Sequence, residues 1–434
     1  MVESLLNVDI VDGPVPFVVW GATAAMLIVL VCRRWTALRL LLAVVAVLLG
    51  AMVGVATLAV IEFSEAFGAT MPVGVMWWTI GCFAGLGLAV VSLWNRTLWR
   101  KIVAIFAIFS VLISLAVGVN ATFGINRTVG DVLGISTLPP ATELPEPTPD
   151  PTSDEPLYRT WTPPAVMPAK GEVFQLSGAF SIPSTDRFVP RDAAIYLPPA
   201  ALVEDPPELP IVVFMMGKPG DPNPQFVQEA LDALAAQHRG LAPIAIVADQ
   251  LGDPNVNPAC ADSVAFGGVA SYFNRDIPTF IREHLDVPAD PRYWTIGGYS
   301  NGGACAITWA AQHPGTWGNV LSISGEAFPG SEEPDTVRDE VFDGSAKAYD
   351  AAKPAAILGK NKGAFDGHFA VFTAGENDPD FVTAAETNAV LAEAAGFDTE
   401  LFILPGADHT VSAVRGGLQR AFEALYPRIG LSEN

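Results

Sequence analysis

The pentapeptide Gly298-Tyr299-Ser300-Asn301-Gly302 is the stretch of this chain best suited to do chemistry. Its spacing is that of a nucleophile elbow, in which a strand ends, turns sharply and enters a helix, with the two glycines letting the backbones approach closely. The strained turn lifts the serine hydroxyl clear of its neighbours. The spacing alone is a weak signal in a chain with 39 glycines. Its context strengthens it, because the β-formers Tyr293 to Ile296 precede it and a helix-compatible run from Gly303 to His313 follows, ended by Pro314.

A serine becomes nucleophilic at neutral pH through a base within hydrogen-bond reach, and a neutral histidine is the usual one. His238, His284 and His313 fall near the ends of predicted helices, where an imidazole meets the helix dipole favourably and needs no other role. His368 precedes a predicted strand. His409, in Leu404-Pro-Gly-Ala-Asp-His409-Thr, lies between the last predicted strand and the last predicted helix, and is the candidate base. With the chain order serine, acid, histidine, the acid comes from Val371-Phe-Thr-Ala-Gly375-Glu-Asn-Asp378-Pro-Asp. Asp378 is the first choice, with Glu376 and then Asp380 as rivals. Any of these could instead cap the helix that begins near Phe381.

Charge developing on a carbonyl oxygen needs two backbone donors, worth about 3 to 4 kcal/mol each in measured cases. The Asn301 N–H, next after the serine, is the first. The second is expected in the turn Gly217-Lys218-Pro219-Gly220, where Pro219 has no N–H and the Lys218 N–H is the candidate. The Lys218 side chain reads as a solvated surface group.

The elements that must position these groups alternate in type from about Ala165 onward, the signature of a mostly parallel sheet flanked by helices. Gly171–Ile182 and Asp192–Leu197 read as an antiparallel opening pair. Strands follow at Leu209–Met216, Pro243–Ala248, the elbow, Asn319–Ile323, Phe369–Ala374 and Leu401–Leu404. Helices are expected at Pro224–His238, Val269–His284 with Pro278 bending it, Phe381–Ala395 and Ser412–Leu425. The stretch Pro329–Phe365 is too long for a simple connection and reads as a cap over the acyl site.

The 434 residues are 50% hydrophobic with a formal charge of −22. The apolar excess lies before about residue 124 and the negative charge after it, which describes a membrane part joined to an acidic soluble part. No Lys/Arg stripe exists to neutralise phosphates, so nucleic acid is not an expected partner. Pro14–Val31, Leu40–Ile61, Met71–Leu93 and Ile102–Val119 are each long enough to cross a hydrocarbon layer of about 30 Å. A cleaved leader is the alternative for the first, but Glu3, Asp9 and Asp12 stand where a basic region belongs. Arg33, Arg34 and Arg39 fill the first connection and Arg96, Arg100 and Lys101 the third, which places both in the cytoplasm. Glu62 and Glu65 mark the second connection as external. The expectation is a multi-pass protein of the cell membrane with its catalytic domain extracytoplasmic. Ionisable groups are nearly absent from the span cores, so the bundle reads as an anchor, and Gly50, Gly54, Gly85 and Gly87 as close-packing positions.

Residues 134–164 are dense in Pro, Thr, Ser, Asp and Glu and are expected to be an extended, solvated spacer. The predicted division is therefore a four-helix transmembrane bundle over 1–133, a Pro-rich linker over 134–164 and an enzyme domain over 165–434. Cys32 and Cys82 fall at spans. Cys260 and Cys305 are left in a domain assigned to an oxidising compartment, as a candidate disulfide that would fasten a long loop beside the elbow, or as two buried thiols.

With Ser300, Asp378 and His409 in place, residues from about Gly171 to Tyr426 resemble the putative-esterase family of α/β-hydrolases, which includes esterase D and the mycoloyltransferases. Arg191-Asp-Ala-Ala-Ile-Tyr-Leu-Pro-Pro199, Ser322-Ile-Ser-Gly-Glu326 and the Gly-Glu-Asn-Asp378 turn carry the resemblance beside the elbow. Four spans followed by a Pro-rich spacer look like membrane-tethered esterases of actinobacteria. The resemblance implies an α/β-hydrolase domain and ester hydrolysis or acyl transfer at the outer face of the membrane, with no metal and no organic cofactor. The sequence departs from the pattern at Met216-Gly217, where related enzymes carry His-Gly or Asp-Gly, which leaves the second oxyanion donor open. The expected substrate is an ester, lipid-linked because of the tether. A mycoloyltransferase-like acyltransferase and an aminoacyl-phospholipid hydrolase are the alternatives within this chemistry. A catalytically silent hydrolase fold serving a membrane complex is the alternative outside it.

Overall fold

The structure, a computed structural model, describes residues 2–63, 71–94, 96–145 and 155–433. It divides into two units: one comprises Met1–Thr137 together with the short segment His409–Val411, and the other comprises Leu138–Asp408 and Ser412–Asn434.

The first unit is built from α1 (Pro14–Val31), α2 (Ala37–Phe63), α3 (Val73–Ser92) and α4 (Leu98–Phe123), all long and apolar enough to cross a membrane by length and composition. Proline in the first turn starts α1, and Gly124 in the left-handed region closes α4 by donating to the Asn120 carbonyl at 2.7 Å. At the contact of α2 with α3, a Cβ on Gly50 would lie 2.2 Å from the Phe83 carbonyl oxygen and one on Gly87 2.0 Å from that of Ala46. These glycines let two helix backbones touch. Outward-facing Leu48, Met52, Phe106 and Phe109 are each more than half exposed. Glu65, expected in the second connection, lies outside the described residues.

The second unit is organised on an eight-stranded sheet: β1 (Glu172–Gln175), β2 (Ala194–Leu197), β3 (Ile211–Met215), β4 (Ile244–Val247), β5 (Trp294–Tyr299), β6 (Asn319–Ile323), β7 (Phe369–Gly375) and β8 (Asp398–Leu404). Their order across the sheet is β1-β2-β4-β3-β5-β6-β7-β8. Only the pairings of β2 are antiparallel. From β4 to β8 all strands run parallel, so their C-terminal ends share one edge. Strands β2 to β7 are buried along their whole length, which is why they read as mostly apolar runs rather than alternating ones.

Helices α5 (Gln225–Gln237), α6 (Ile277–His284), α7 (Asn301–Gln312), α11 (Pro379–Ala395) and α12 (Val411–Arg428) follow β3, the loop after β4, β5, β7 and β8 in turn. α7 packs on β5 and β6, and α11 on β7 and β8. The expected bent helix over 269–284 contains a π-helical turn at Tyr272–Asp276 ahead of Pro278. The long stretch after β6 holds three short helices, α8 (Pro334–Val341), α9 (Ala346–Ala352) and α10 (Pro354–Lys360).

Two expectations need correction. The opening strand is short, because Gly178 turns the chain into a 3-10 segment over Gly178–Phe180. The described flanks of the 134–164 spacer keep many exposed residues, but they dock through backbone hydrogen bonds rather than running free. Ala141 N–H donates to the Gln175 carbonyl at 2.9 Å, Gln175 N–H to that of Pro139 at 2.8 Å, and Tyr158 N–H to that of Gly430 at 3.1 Å. An open sheet edge offers backbone donors and acceptors that a Pro-rich segment can still use through its carbonyls and its few N–H groups. The middle of that spacer, residues 146–154, lies outside the described residues.

Candidate active site at the parallel edge

Ser300 occupies the point where β5 gives way to α7, with φ 55° and ψ −117°. A non-glycine residue held there is strained and persists only because its surroundings over-determine it. They do so through backbone: Ser300 N–H donates to the Ile323 carbonyl at 2.9 Å, and the Ser300 carbonyl accepts from Gly303 at 2.9 Å and Ala304 at 3.2 Å. A Cβ on Gly298 would stand 2.3 Å from the Gly302 carbonyl carbon, so the strand end and helix start meet as the motif requires. Ser300 is 5% exposed.

The turn after β3 comes up against this elbow, where a Cβ on Gly217 would lie 3.1 Å from that of Ser300. Arg191 holds the far end of the turn by donating to the Gly220 carbonyl at 2.7 Å while forming a two-pronged pair with buried Asp249 at 2.7 and 2.9 Å. The Lys218 ammonium is not a solvated surface group as expected. It is half-buried and ion-paired with Glu333, which leads into α8. A sequence window around Lys218 contains no sign of a partner 115 residues away.

After β7, Glu376 and Asp380 are exposed while Asp378 is 1% exposed. The Glu376 carboxylate accepts from Gly406 N–H at 2.9 Å, and Asn377 N–H donates to the Ala407 carbonyl at 3.0 Å. These bonds staple the loop after β8 to the turn that carries Asp378, and His409 is the next residue but one after Ala407. Asp378 sits at the N-cap of α11, yet its side chain makes no capping hydrogen bond. Its charge is felt by Tyr299, whose hydroxyl is pushed well above the usual tyrosine range by burial and by Asp378.

The remaining histidines have partners of their own. His238 lies tilted against Tyr426, His284 stacks on Phe280 with its Nδ1 3.0 Å from the Phe280 carbonyl, and His368 Nε2 lies 2.9 Å from the Pro314 carbonyl. Burial lowers the His313 imidazole below its ordinary range. Cys260 and Cys305 are joined as a disulfide with Cα atoms 5.2 Å apart, tying the loop after β4 to α7.

Polar residues that sequence reasoning did not single out surround Asn301. Its Nδ2 donates to Asn257 Oδ1 at 3.2 Å and Glu326 Oε1 at 3.1 Å, and its Oδ1 accepts from Gln250 Nε2 at 3.2 Å. Gln250 and Glu326 each follow a C-terminal strand end, which was their one sequence signal. Among the described residues, no group of His, Cys, Asp and Glu is arranged to hold a metal ion.

The strand order, the parallel edge and the serine elbow after β5 together define an α/β-hydrolase architecture. No family model matches the chain. An uncharacterized protein of Corynebacterium glutamicum is 35% identical over 256 residues, covering 57% of this chain and 60% of that protein, so the match spans about three fifths of the relative's length. Among solved structures, a ferulic acid esterase aligns with TM-score 0.46 at 13% identity, covering 60% of this chain and 99% of its own. An S-formylglutathione hydrolase of Agrobacterium tumefaciens aligns with TM-score 0.46 at 18% identity, covering 62% and 100%.

Proposed function

We propose that this chain is a membrane-tethered serine hydrolase that cleaves a carboxylic ester through an acyl-serine intermediate. The observation that carries the reading is Ser300, held at a positive φ between β5 and α7, with a buried, non-capping Asp378 following β7 on the same parallel edge, two strands away. Ser300 Oγ attacks the ester carbonyl and its proton passes to His409. The tetrahedral oxyanion is received by the N–H groups of Asn301 and Lys218. The C–O bond to the alcohol then breaks, and the alcohol leaves with the proton from His409. Asp378 keeps the imidazole oriented and favours its protonated form. A water activated by the same histidine attacks the acyl carbon and releases the acid.

Four long apolar helices support anchoring in the cell membrane, and the basic first and third connections support an extracytoplasmic enzyme unit. The Cys260–Cys305 bridge is in keeping with an oxidising compartment. Tethering favours a lipid-linked ester as substrate. The test is labelling of the full chain with a fluorophosphonate probe, followed by peptide mapping. The adduct is expected on Ser300, and an unlabelled protein that is otherwise folded would assign the chain to silent hydrolase folds instead.

A further inference from the structure

Glu326 is 3% exposed and lies three residues past the end of β6. Both of its oxygens are occupied by donors from different segments. Oε1 accepts from Asn301 Nδ2, and Oε2 accepts from the N–H groups of Gly330 at 2.9 Å and Ser331 at 3.2 Å. Its own N–H donates to the Ser300 carbonyl at 3.3 Å. One side chain therefore joins the residue after the nucleophile to the beginning of the helical stretch that follows β6.

The donors and acceptors around Asn301 leave no freedom. Its amide has two hydrogens, and these go to Asn257 and Glu326. Its oxygen takes the hydrogen from Gln250, whose amide also donates to the Met216 carbonyl at 2.7 Å and so fixes the peptide that leads into Gly217. Three donors fill three of the four acceptor sites of the Glu326 carboxylate, and each of those bonds is stronger to the ionised form than to the neutral acid. The arrangement favours the carboxylate ionised.

We propose that Glu326 is a positioning residue of the acyl-serine reaction, whose ionised carboxylate sets the Asn301 peptide for oxyanion binding and registers the stretch from Gly330 against the elbow. The inference rests on the serine-hydrolase reading above. Burial pushes the Glu326 carboxyl up to about 7, while Lys218 pulls the other way. The other groups facing it are Glu332, pushed up to about 8 by burial and by Glu326 itself, Glu333 paired with Lys218, and Tyr349, whose hydroxyl donates to the Pro329 and Gly330 carbonyls. Asp378 acts on the same cluster through Glu332. Asn257 and Gln250, from the remaining elements packed on it, are uncharged. Below neutrality Glu326 takes up a proton, and the Asn301 amide loses its fixed acceptor.

The experiment uses the full chain in detergent micelles with p-nitrophenyl butyrate, following kcat and KM from pH 5 to 9. The base contributes one proton to the acid limb of log kcat/KM and Glu326 contributes a second, so the parent limb is expected to approach a slope of two. In Glu326→Gln the limb falls to a slope of one, and kcat drops about tenfold with KM within about threefold, since the interaction lost is one made in the transition state. Glu326→Asp keeps the charge and is expected to retain the two-proton limb. A one-proton limb in the parent overturns the proposal without any variant, as does a Glu326→Gln enzyme with the parent's kcat. A change confined to KM or to thermal stability also overturns it. If the parent takes no fluorophosphonate and Ser300→Ala turns over ester at the parent's rate, the hydrolase reading fails and this one with it. A labelled parent with a one-proton limb sinks only the present inference.

Discussion

The two units of this chain use the same apolar residue types in opposite senses. In the helical unit Leu48 and Phe109 face outward, whereas in the sheet unit Leu231 and Phe214 are fully buried. The buried polar groups of the helical unit are hydroxyls such as Thr23 and Ser114, bonded to one another at 2.8 Å. Those of the sheet unit include Asp249, Glu326 and Asp378, buried carboxylates that cost free energy unless ionised partners or donors compensate them. The difference teaches where work is done. An apolar outward face of the kind a lipid layer covers needs no charge, while buried carboxylates on the edge that carries a strained serine are costly to maintain, as the proposed chemistry would require.

The sharpest way to break this comparison is Ser300→Ala, expected to lower kcat by about 10⁶-fold with the thermal midpoint unchanged. Parent-like turnover would remove chemistry from that edge. Asp378→Asn is expected to cost about 10⁴-fold, because in the proposed triad Asp378 orients the imidazole. Glu376→Gln and Asp380→Asn, both at exposed positions, should each stay within about threefold. Equal losses at all three would mean that burial does not distinguish the acid.

Much of this site was legible in the sequence because its signals are local. The elbow shows in five consecutive residues, and β5, β6 and β7 show as mostly apolar runs without alternation because both faces of each are covered. The partners of Asn301 were not legible, since Gln250, Asn257 and Glu326 come from two connections 25 to 51 residues away and only the folded sheet gathers them. The docked flanks of the Pro-rich stretch were missed for a different reason. Composition describes side chains, and the bonds from Ala141 and to Pro139 are made by backbone atoms.

Smaller effects sharpen the contrast between the units. Replacing both Cys260 and Cys305 by Ala releases a closed loop with sequence separation 45 and should cost about 4 kcal/mol in chemical denaturation. Substituting Cys32, which is free and exposed, should leave that transition in place. Glu326 and Glu332 are both raised by burial above the ordinary carboxyl value of 4.5. The unfolded chain then binds fewer protons than the folded one between about pH 5 and 8, so their contribution to stability is present at pH 4 and is lost as pH rises through 7 to 8. Scanning calorimetry from pH 5 to 8 should show the midpoint of the sheet unit falling, and less steeply in Glu326→Gln. A midpoint that rises through this window would contradict the assignment. Gly87→Leu, which drives a side chain into the Ala46 carbonyl, should loosen the helical unit while ester turnover stays within about twofold.

Acid quenching of the full chain during turnover of p-nitrophenyl butyrate, followed by peptide mass spectrometry, bears most directly on the central claim. A single butyryl group on the peptide that contains Ser300, absent from Ser300→Ala, is the predicted result. Steady turnover with that peptide unmodified, or with the acyl group on another side chain, would contradict it.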